Sequence, residues 1–398
     1  MKIGILKEEK VPADKRVPFS PIQCKEIISN FSNIEIFVQN SNIRCFDDSE
    51  YNSLGIQVVD DISHCDILFG VKEVPKDKLI ANKTYFYFSH TVKKQEYNRD
   101  LLIKMVSLKI EMIDYEVLTS NDRRLLGFGR YAGVIGAYNA FVTLGLKDQS
   151  FSLKAANKCL DRKEMEVEMQ KILLTNEKIV VTGKGRVGSG ILEILNKLKI
   201  TQVSSDDYLN NDYDYPVYVN IDTMDYNQRY DLSKGSFNDF ITNPSLYEST
   251  FMKYANKSDI FIAGHYFGSG SPYLFTRLDA RSEAFKIRVV ADISCDIDGP
   301  VATTIRPSSI SNPIYGYNPI TEMEDDFSID GIIAVMAVDN LPCELSKDAS
   351  EDFGQQLIDN IIPILGSDST ILKEATICRN GDLTEYFDNR NDIREFFP

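Results

Sequence analysis

The sequence predicts an α/β protein of two domains, each built on a parallel β-sheet, with a cleft between them. The chain has 398 residues, which is too long for one compact core. Short β-rich runs alternate with polar segments of helical spacing, the pattern of strands joined by crossover helices. In the second half, an apolar strand leads into a glycine-rich turn and then a helix. These three observations favour two doubly wound domains.

The first half contains six short β-rich runs. In chain order they are KIGIL, IEIFVQ, IQVVD, DILFG, TYFYFS and IEMIDYE. The segments SPIQCKEIISNF and KKQEYNRDLLIKMVSL between them have helical spacing. Residues 130–146 then form an apolar run with closely spaced small residues, which is typical of a helix packed tightly against its neighbours. We expect a parallel sheet in the first domain and a connecting helix after it.

A second β/α series begins at KIVVTGKGRVGSGILEILNKL and continues through SDIFIAGHY and IRVVADIS. Residues 204–257 are rich in Asp, Asn and Tyr and resemble an insertion after the second strand of this series, ITQVS. The tail from Asp339 to Phe397 returns to helical spacing. Near its end, NG between two apolar runs in ATICRNGDLTEYF predicts a hairpin.

Composition excludes several classes of protein. The chain is 43% hydrophobic and 26% charged, and it contains no apolar stretch of the roughly 18 residues that a membrane span needs. The net charge of −15 argues against binding to nucleic acid, which requires a basic face. The start, MKIGILKEEK, lacks the apolar region of a secretory signal. The seven cysteines lack CxxC pairs and nearby histidines, so we expect no metal site and reduced thiols in a cytoplasmic protein.

The glycine-rich turn is the clearest binding motif. Gly183, Gly185 and Gly188 fit G-x-G-x-x-G, with Arg186 and Val187 opening the following helix. The first glycine allows the tight turn, the second lets the backbone approach a pyrophosphate, and the third lets helix and strand pack closely. A purely structural glycine turn is the alternative, but the flanking strand and helix favour a dinucleotide, NAD or NADP.

The sequence does not distinguish NAD from NADP. The acidic residue expected about 20 residues after the glycine turn, for the ribose hydroxyls, is not cleanly present. The strand ITQVS ends at Ser204, which tolerates a 2′-phosphate, whereas Asp206 would repel one. His265 follows a later strand of the same series, where a cofactor contact and a structural role are equally compatible with the sequence.

Charged residues follow the ends of several predicted strands in the first half. In open α/β sheets, ligands lie outside the carboxyl ends of the strands, so these side chains are expected to converge. Each alone has a simpler explanation, such as a solvated loop pair or a capped core histidine. Their shared edge favours a site. The members are Arg16, Lys72, Glu73, His90, Lys93, Gln95, Glu116 and Arg130.

The chemistry of this set suits the reduction of a C=N bond. Forming or hydrolysing an imine requires a group that moves a proton near neutral pH, which His and a Lys of lowered pKa can do. Lys72 and His90 are therefore the candidate catalytic residues. Arg16 and Arg130 suit a carboxylate, which arginine binds with two parallel hydrogen bonds. No Ser-His-Asp arrangement, HExxH or Walker turn is visible in the sequence.

The chain resembles the superfamily of alanine dehydrogenases, transhydrogenase alpha subunits and saccharopine dehydrogenases. Within it, the chain is most similar to the lysine-forming saccharopine dehydrogenases and the lysine-ketoglutarate reductase module. The resemblance covers nearly the full length. It is carried by KEEKVPADKRVPFSP, FGVKEVP, KTYFYFSHTVKKQEYN, MIDYE, FGRYAGVIGAYN, GKGRVGSG, SDIFIAGHYF, DISCDIDGPVATT and AVDNLPCELSKDASEDFG.

The resemblance implies a discontinuous substrate domain, residues 1–133 and 331–398, around a central Rossmann domain, residues 134–330. It implies that Lys72 and His90 are the acid/base pair. The remaining implied roles fall into two groups. Substrate-binding residues are Arg16, Glu73, Lys93, Gln95 and Glu116, and cofactor-binding residues are Arg130, Gly183, Gly185, Arg186, Val187, Gly188, Ser204, Asp206, His265, Asp292, Ser294 and Asp296.

The reaction implied is the reversible NAD(P)-dependent condensation of L-lysine and 2-oxoglutarate to saccharopine. The departures from the family pattern leave NAD against NADP and the direction of the reaction open. One alternative is reductive amination like that of alanine dehydrogenase, with ammonia in place of the lysine amine. A second is a non-catalytic NAD(P)-binding regulator, which the presence of both Lys72 and His90 disfavours.

Overall fold

The computed structural model describes residues 1–121, 123–391 and 393–397, and the chain divides into two compact units. The first combines Met1–Phe128 with the residues from Ser346 onward, and the second is Gly129–Leu345. Compared with the boundaries predicted from the sequence, residues 129–133 and 331–345 lie in the second unit. The physical reason is that one continuous helix begins at Gly129 and that the strand Ile333–Met336 pairs within the second sheet.

The helices and strands follow each other in chain order. The helices are α1 (Pro21–Asn30), α2 (Asp48–Ser53), α3 (Glu96–Ser107), α4 (Gly129–Asp148), α5 (Arg162–Glu168), α6 (Arg186–Lys197), α7 (Ser205–Asn210), α8 (Phe237–Thr242), α9 (Met252–Ala255), α10 (Arg277–Ala280), α11 (Ser346–Asn360), α12 (Thr370–Ala375), α13 (Glu385–Asn391) and α14 (Ile393–Phe396). The strands are β1 (Lys2–Ile5), β2 (Glu35–Gln39), β3 (Gln57–Val59), β4 (Ile67–Phe69), β5 (Thr84–Tyr87), β6 (Glu111–Asp114), β7 (Thr119–Ser120), β8 (Arg123–Arg124), β9 (Lys178–Thr182), β10 (Thr201–Gln202), β11 (Val217–Ile221), β12 (Asn227–Arg229), β13 (Tyr247–Ser249), β14 (Ile260–Ala263), β15 (Val289–Asp292), β16 (Ile314–Asn318), β17 (Met323–Asp325), β18 (Ile333–Met336), β19 (Thr376–Arg379) and β20 (Asp382–Leu383).

The sheet of the first unit has the strand order β20-β19-β6-β5-β4-β1-β2-β3. All neighbours among β1 to β6 are parallel, so the six runs predicted from the sequence form one parallel sheet, as expected. Its order, 3-2-1-4-5-6, reverses direction between β1 and β4. Ligands of doubly wound sheets bind at this reversal, outside the carboxyl ends of the strands.

The C-terminal tail completes the first unit. Strand β19 pairs antiparallel with β6, and β20 pairs antiparallel with β19. The turn between them contains Asn380 and Gly381 at positive φ, 56° and 88°, which is the conformation that NG turns adopt. The predicted hairpin is thus confirmed. Helix α11 contributes Phe353 and Leu357 to the same apolar core as β1 and β4, and burial of these side chains ties the tail to the N-terminal residues.

The second unit is also built on an eight-stranded sheet, of order β10-β11-β9-β14-β15-β18-β16-β17. The strands from β10 to β18 in this order are parallel, and β16 and β17 add antiparallel at one edge. Helix α4 packs on α6 through glycines. A Cβ on Gly133 would lie 2.0 Å from the Val187 carbonyl oxygen, and one on Gly190 would lie 2.0 Å from the Arg130 oxygen. The small-residue helix predicted from the sequence is confirmed.

The segment 204–257, expected to be an insertion, contains a strand of the main sheet. Strand β11 pairs with β9 along its whole length, and β10 is displaced to the sheet edge. The part of this segment that lies outside the main sheet is shorter than predicted, and it contains the antiparallel pair β12–β13 with α8 between the two strands. Within the described part of the chain, no helix is both long and apolar enough to cross a membrane.

Candidate active site

The charged residues of the first unit lie at the carboxyl edge of its sheet. The strand register places Ile5 beside Phe69, and Tyr87 beside Asp114. The segments that leave these ends therefore start side by side. They carry every charged residue that the sequence assigned to this edge of the first unit: Arg16 after β1, Lys72 and Glu73 after β4, His90 and Lys93 after β5, and Glu116 after β6.

His90 lies between two carboxylates. Its Nδ1 is 3.4 Å from Glu116 Oε2, and its Nε2 is 3.9 Å from Glu73 Oε2. The backbone of His90 is in the left-handed region, with φ 57°, and its carbonyl accepts a hydrogen bond from Asn98 Nδ2 at 3.0 Å. Both ring nitrogens thus face acidic groups, an arrangement that orients the imidazole.

Glu116 is held in its ionised form by its neighbours. Burial favours its neutral form, but the hydrogen bond to His90 and the charges of Lys93 and Arg124 outweigh burial and lower its pKa to about 2. Lys93 Nζ is 3.6 Å away and an Arg124 amino group 3.9 Å away. Arg124 also lies over the Phe88 ring at 5.4 Å. The sequence-based reasoning missed Arg124, because it lies in a two-residue strand in an exposed segment and not directly after a core strand.

Lys72 is held by the turn that follows β4. Its backbone N–H and that of Val71 donate to the two oxygens of Glu8, at 3.0 and 2.6 Å. Glu8 was also missed by the sequence-based reasoning, although it follows β1, directly across the strand reversal. Burial raises the pKa of Glu8 to about 8. Burial of Lys72, helped by the positive charges of Arg16 and Lys10, lowers the pKa of its ammonium, as a proton-transferring lysine requires.

Arg16 has a carboxylate partner within the chain. Its guanidinium binds Asp14 through Nε at 3.0 Å and through a second nitrogen, and both side chains are almost fully buried. It also lies 4.1 Å from the Phe128 ring centroid. The expectation that Arg16 offers a two-pronged fork to a substrate is corrected to this extent: the fork binds Asp14. The pair is buried, and the Arg16 guanidinium contributes to the lowered pKa of Lys72.

The loops at this edge are anchored by a buried acid. Asp114, the last residue of β6, accepts hydrogen bonds from the Ser89 hydroxyl and from the Glu116 backbone N–H at 2.7 Å. Burial raises its pKa to about 6. Gln95, by contrast, is exposed, and its carbonyl oxygen accepts a hydrogen bond from the Tyr97 hydroxyl at 2.6 Å. Asp114 thus fixes the loops that carry His90 and Glu116, while Gln95 lies at the rim.

In the glycine turn of the second unit, a side chain at Gly183 or Gly188 would clash with backbone, whereas one at Gly185 would enter open space. Gly183 has φ +93°, and a Cβ there would lie 2.4 Å from the Gly264 oxygen. A Cβ on Gly188 would lie 2.1 Å from the Gly183 oxygen, so this glycine lets α6 approach β9. Gly185 has no atom within 4 Å of its Cβ position. The open space lies at the N-terminus of the 12-residue helix α6, where backbone N–H groups and the helix dipole favour phosphate.

Arg130, predicted to bind the cofactor, forms a helix–helix ion pair in the structure. Its guanidinium binds both oxygens of Glu193 on α6, at 2.6 and 2.8 Å. Arg162 donates to the same carboxylate at 2.8 Å. Arg130 therefore ties α4 to α6. Of the two residues that open α6, Arg186 is exposed, while the Val187 carbonyl packs against Gly133.

The position expected to bind the ribose is corrected by the strand order. Ser204 caps α7 and hydrogen-bonds Asp207, and Asp206 lies in the first turn of that helix. Both follow β10, which is not a neighbour of β9. The neighbour is β11, which is followed by Asp222, and the N–H of Gly183 donates to the Ile221 carbonyl at 3.0 Å. Asp222 is the acidic residue that the fold places beside the glycine turn.

His265 is a buried neutral residue beneath this turn. Its Nδ1 is 2.8 Å from Thr182 Oγ1, and its ring stacks on Phe261. Burial lowers its pKa to about 4. Its Nε2 has no hydrogen-bond partner among the described residues. These contacts give His265 a structural place beneath the turn, with its backbone nitrogen 3.0 Å from the Gly183 Cβ position, and its contact with a cofactor stays a prediction.

The loop after β15 is organised by Asp292. This fully buried carboxylate accepts hydrogen bonds from Ser294 Oγ at 2.7 Å, Cys295 N at 3.2 Å and Thr304 Oγ1 at 2.7 Å. Asp292 and Ser294 therefore shape the loop from within, whereas Asp296 is exposed. Within residues 1–121, 123–391 and 393–397, no three His, Cys, Asp or Glu side chains lie close enough together to bind a metal ion.

The N-terminal third of the chain is similar to a known family. Residues 4–135 match the family described as alanine dehydrogenase/PNT, N-terminal domain. Two solved structures share the fold. An L-alanine dehydrogenase superposes over 100% of both chains with a TM-score of 0.66 at 15% identity, and a transhydrogenase from Sinorhizobium meliloti over 96% of this chain and 99% of its own with a TM-score of 0.57 at 14% identity.

Three curated relatives extend the similarity over nearly the whole chain. The alpha-aminoadipic semialdehyde synthase of Arabidopsis thaliana is 29% identical over 100% of this chain, and its mitochondrial counterpart from Mus musculus is 27% identical over 98%. The chain spans only 42% and 48% of those two proteins. A saccharopine dehydrogenase (NAD(+), L-lysine-forming) from Yarrowia lipolytica is 24% identical over 90% of this chain and 91% of its own length.

The glycine turn beside an acidic strand end and the Lys72–His90 edge both lie in the regions that these proteins share with the chain. Residues 4–135 are similar to the alanine dehydrogenase/PNT N-terminal domain, and the chain as a whole is similar to saccharopine dehydrogenases and to part of the alpha-aminoadipic semialdehyde synthases.

Proposed function

We propose that this protein is an NAD-dependent oxidoreductase that condenses L-lysine with 2-oxoglutarate and reduces the imine to saccharopine, reversibly. The observation that carries the proposal is the grouping of Lys72, His90 and two carboxylates at the carboxyl edge of the first unit's sheet. The named activity of the Yarrowia lipolytica relative, which is similar over most of its length, supports the choice of substrates.

Proton transfer is the task of Lys72 and His90. Condensation of an amine with a 2-oxo acid requires proton movement at the nitrogen and at the oxygen that leaves as water, and the reverse reaction requires the same steps. Burial lowers the pKa of the Lys72 ammonium, which increases the fraction of neutral amine that can accept a proton. His90, oriented by Glu73 and Glu116, is suited to the second proton. Two groups in different electrostatic surroundings divide acid and base roles in many enzymes.

The positive groups of the same edge suit the carboxylates of the substrates. Arg124 is exposed, and its guanidinium lies 5.4 Å from the centroid of the Phe88 ring, which holds it at this edge. Lys93 is half exposed, at the rim, and pairs with Glu116. The charge of Arg16 is already balanced by Asp14, so in this proposal Arg16 shapes the edge beside Lys72. In this proposal Arg124 joins Lys93 in binding substrate carboxylates.

A dinucleotide fits the glycine turn of the second unit. The open space over Gly185 and the N-terminus of α6 suit the pyrophosphate, and Asp222 suits the ribose hydroxyls. A carboxylate at that position repels a 2′-phosphate, so we propose NAD and not NADP. When bound, the nicotinamide supplies the hydride for the C=N bond. The residues of the chain bind and orient it.

The proposal is tested by following the oxidation of NADH and NADPH with 2-oxoglutarate plus either lysine or ammonia. Oxidation that requires lysine and favours NADH is expected. Activity with pyruvate and ammonia only would replace the proposal by the alanine dehydrogenase reaction, which the family of residues 4–135 makes the natural second candidate. Binding of NADH without turnover of any pair would favour a non-catalytic regulator.

A further inference from the structure

Lys184 and Asp225 form an ion pair beside the glycine turn of the second unit. Lys184 stands between Gly183 and Gly185, and its Nζ is 3.7 Å from Asp225 Oδ2. The two side chains are 51% and 41% exposed. An ion pair this exposed contributes little to stability. The ammonium of Lys184 can therefore exchange its partner for another anion at little cost in free energy.

Asp225 is fixed in place by the loop that follows β11. Its Oδ2 accepts a hydrogen bond from the Asp222 backbone N–H at 2.7 Å, and its own N–H donates to the Asp222 carbonyl at 2.9 Å. Asp222 is the residue proposed above for the ribose hydroxyls. The carboxylate oxygen that pairs with Lys184 is thus the same one that binds the Asp222 backbone, which places the ammonium next to the proposed ribose position.

The location of Lys184 is one that matters for the choice between NAD and NADP. NADP carries an additional phosphate on the 2′-hydroxyl of its adenosine ribose, and dinucleotide-binding folds accommodate it with a basic side chain near the ribose. Lys184 is a basic side chain of the glycine turn itself, and a lysine ammonium binds phosphate as a point charge. In this chain, however, the charge of Lys184 is already balanced by Asp225.

We propose that Asp225 is a determinant of cofactor choice that acts through Lys184, because it binds the ammonium that would otherwise bind a 2′-phosphate. The inference rests on the proposed function and deepens it. Asp222 repels a 2′-phosphate directly, whereas Asp225 withholds the cation that would attract one. Discrimination against a ligand is commonly built from such a repulsive group together with the loss of an attractive one.

Asp225→Asn separates the charge of this residue from its structural role. Asparagine has nearly the same shape and keeps a side-chain oxygen that can accept from the Asp222 N–H, so the loop should fold as before. Asp225→Ser, which also keeps an oxygen suited to a helix cap, replaces it if the asparagine variant is unstable. Lys184→Met, combined with Asp225→Asn, shows whether the effect requires the ammonium. The matched control is Asp214→Asn, an exposed aspartate before the opposite end of β11.

The experiment measures the Kd of NADPH and of NADH by titration calorimetry, which needs no turnover. For Asp225→Asn we expect the Kd of NADPH to fall about tenfold and that of NADH to stay unchanged. The gain should shrink as the salt concentration rises, because exposed charges are screened. In the double variant with Lys184→Met, and in Asp214→Asn, the Kd of NADPH should stay near the wild-type value.

The outcomes separate this inference from the proposed function. If the wild type binds NADH but Asp225→Asn leaves the Kd of NADPH unchanged, or the double variant gains as much as the single one, the inference is overturned and the proposed function stands. If the gain requires Lys184 yet no substrate pair is turned over, the inference holds and the proposed reaction falls. A wild type that binds neither nucleotide overturns both the inference and the proposed cofactor.

Discussion

The carboxyl edges of the two sheets are both formed by parallel strands but carry different chemistry. In the first unit, side chains fill the edge: Glu8 holds the Lys72 turn, Asp14 holds Arg16, and His90 lies between carboxylates. In the second unit, the corresponding edge has backbone and open space, at Gly185 and the N-terminus of α6. The contrast separates proton transfer, which needs titratable side chains, from binding of a pyrophosphate, which needs accessible N–H groups.

The two edges also differ in how they tolerate change. Charged side chains that are buried and paired depend on each partner, because loss of one leaves the other uncompensated. A glycine turn depends on the absence of Cβ atoms, which would clash with backbone or fill the open space. Substitutions in the first unit should therefore act on turnover, and those in the glycine turn should act on nucleotide binding or on folding.

The largest effect is expected for Lys72→Met. Turnover should fall by roughly 10²–10⁴-fold, the range for removal of a general acid/base group, while NADH binding, measured by fluorescence, should be retained. Lys25→Met, on the exposed face of α1, is the matched control and should behave like the wild type. Normal turnover by Lys72→Met would mean that the first unit does not supply this proton.

Gly185→Val should impair the second unit without unfolding it. The position has no atom within 4 Å of its Cβ and an extended backbone, with φ −85°, so thermal unfolding should be unchanged. The side chain would occupy the space proposed for the pyrophosphate, and the Kd for NADH should rise by about tenfold or more. Gly188→Ala provides the contrast, since its Cβ would lie 2.1 Å from an oxygen and should lower the Tm. Unchanged NADH affinity in Gly185→Val would place the nucleotide elsewhere.

Asp222→Ser should shift the cofactor preference. Serine keeps the cap on Thr223 N, which Asp222 now accepts at 2.8 Å, because both side chains are good helix caps. Removing the carboxylate removes the repulsion of a 2′-phosphate, so the ratio of kcat/KM for NADPH to that for NADH should rise by about tenfold. The same substitution at Asp206 should change nothing. The opposite ranking of the two variants would restore the position after β10 as the ribose site.

Glu344→Gln tests the buried acids by their pH dependence. Burial raises the pKa of Glu344 to about 7, and Asn139 donates to it at 2.8 Å. A carboxyl with a raised pKa in the folded state destabilises that state as pH rises from its unfolded pKa, near 4.5, through 7. The Tm of the wild type should therefore fall between pH 5 and pH 8 relative to that of Glu344→Gln. Parallel curves would show that Glu344 ionises freely in the fold.

The smallest effect is expected for Arg130→Met. The ion pair with Glu193 is 40% exposed on the arginine side, and such pairs contribute about 1 kcal/mol or less. Unfolding in urea should change within that range, and the KM for NADH should not change. A large rise in that KM would return Arg130 to the cofactor site.

Local patterns determined most of the secondary structure. The six β-rich runs of the first half, the helix rich in small residues, the NG hairpin and the glycine turn all follow from the φ/ψ preferences and apolar periodicity of adjacent residues. The convergence of Lys72, Glu73, His90 and Glu116 also followed from the sequence, because the carboxyl ends of parallel strands meet at one edge.

Pairing between distant residues was decided by the tertiary structure. The sequence does not say which strand lies beside β9, and the answer, β11 and not β10, moves the expected ribose contact from Ser204 and Asp206 to Asp222. Nor does it say that Arg16 binds Asp14 or that Arg130 binds Glu193. Strand order and ion pairs depend on which surfaces the whole chain buries together, whereas turns and periodicities depend on neighbours in the sequence.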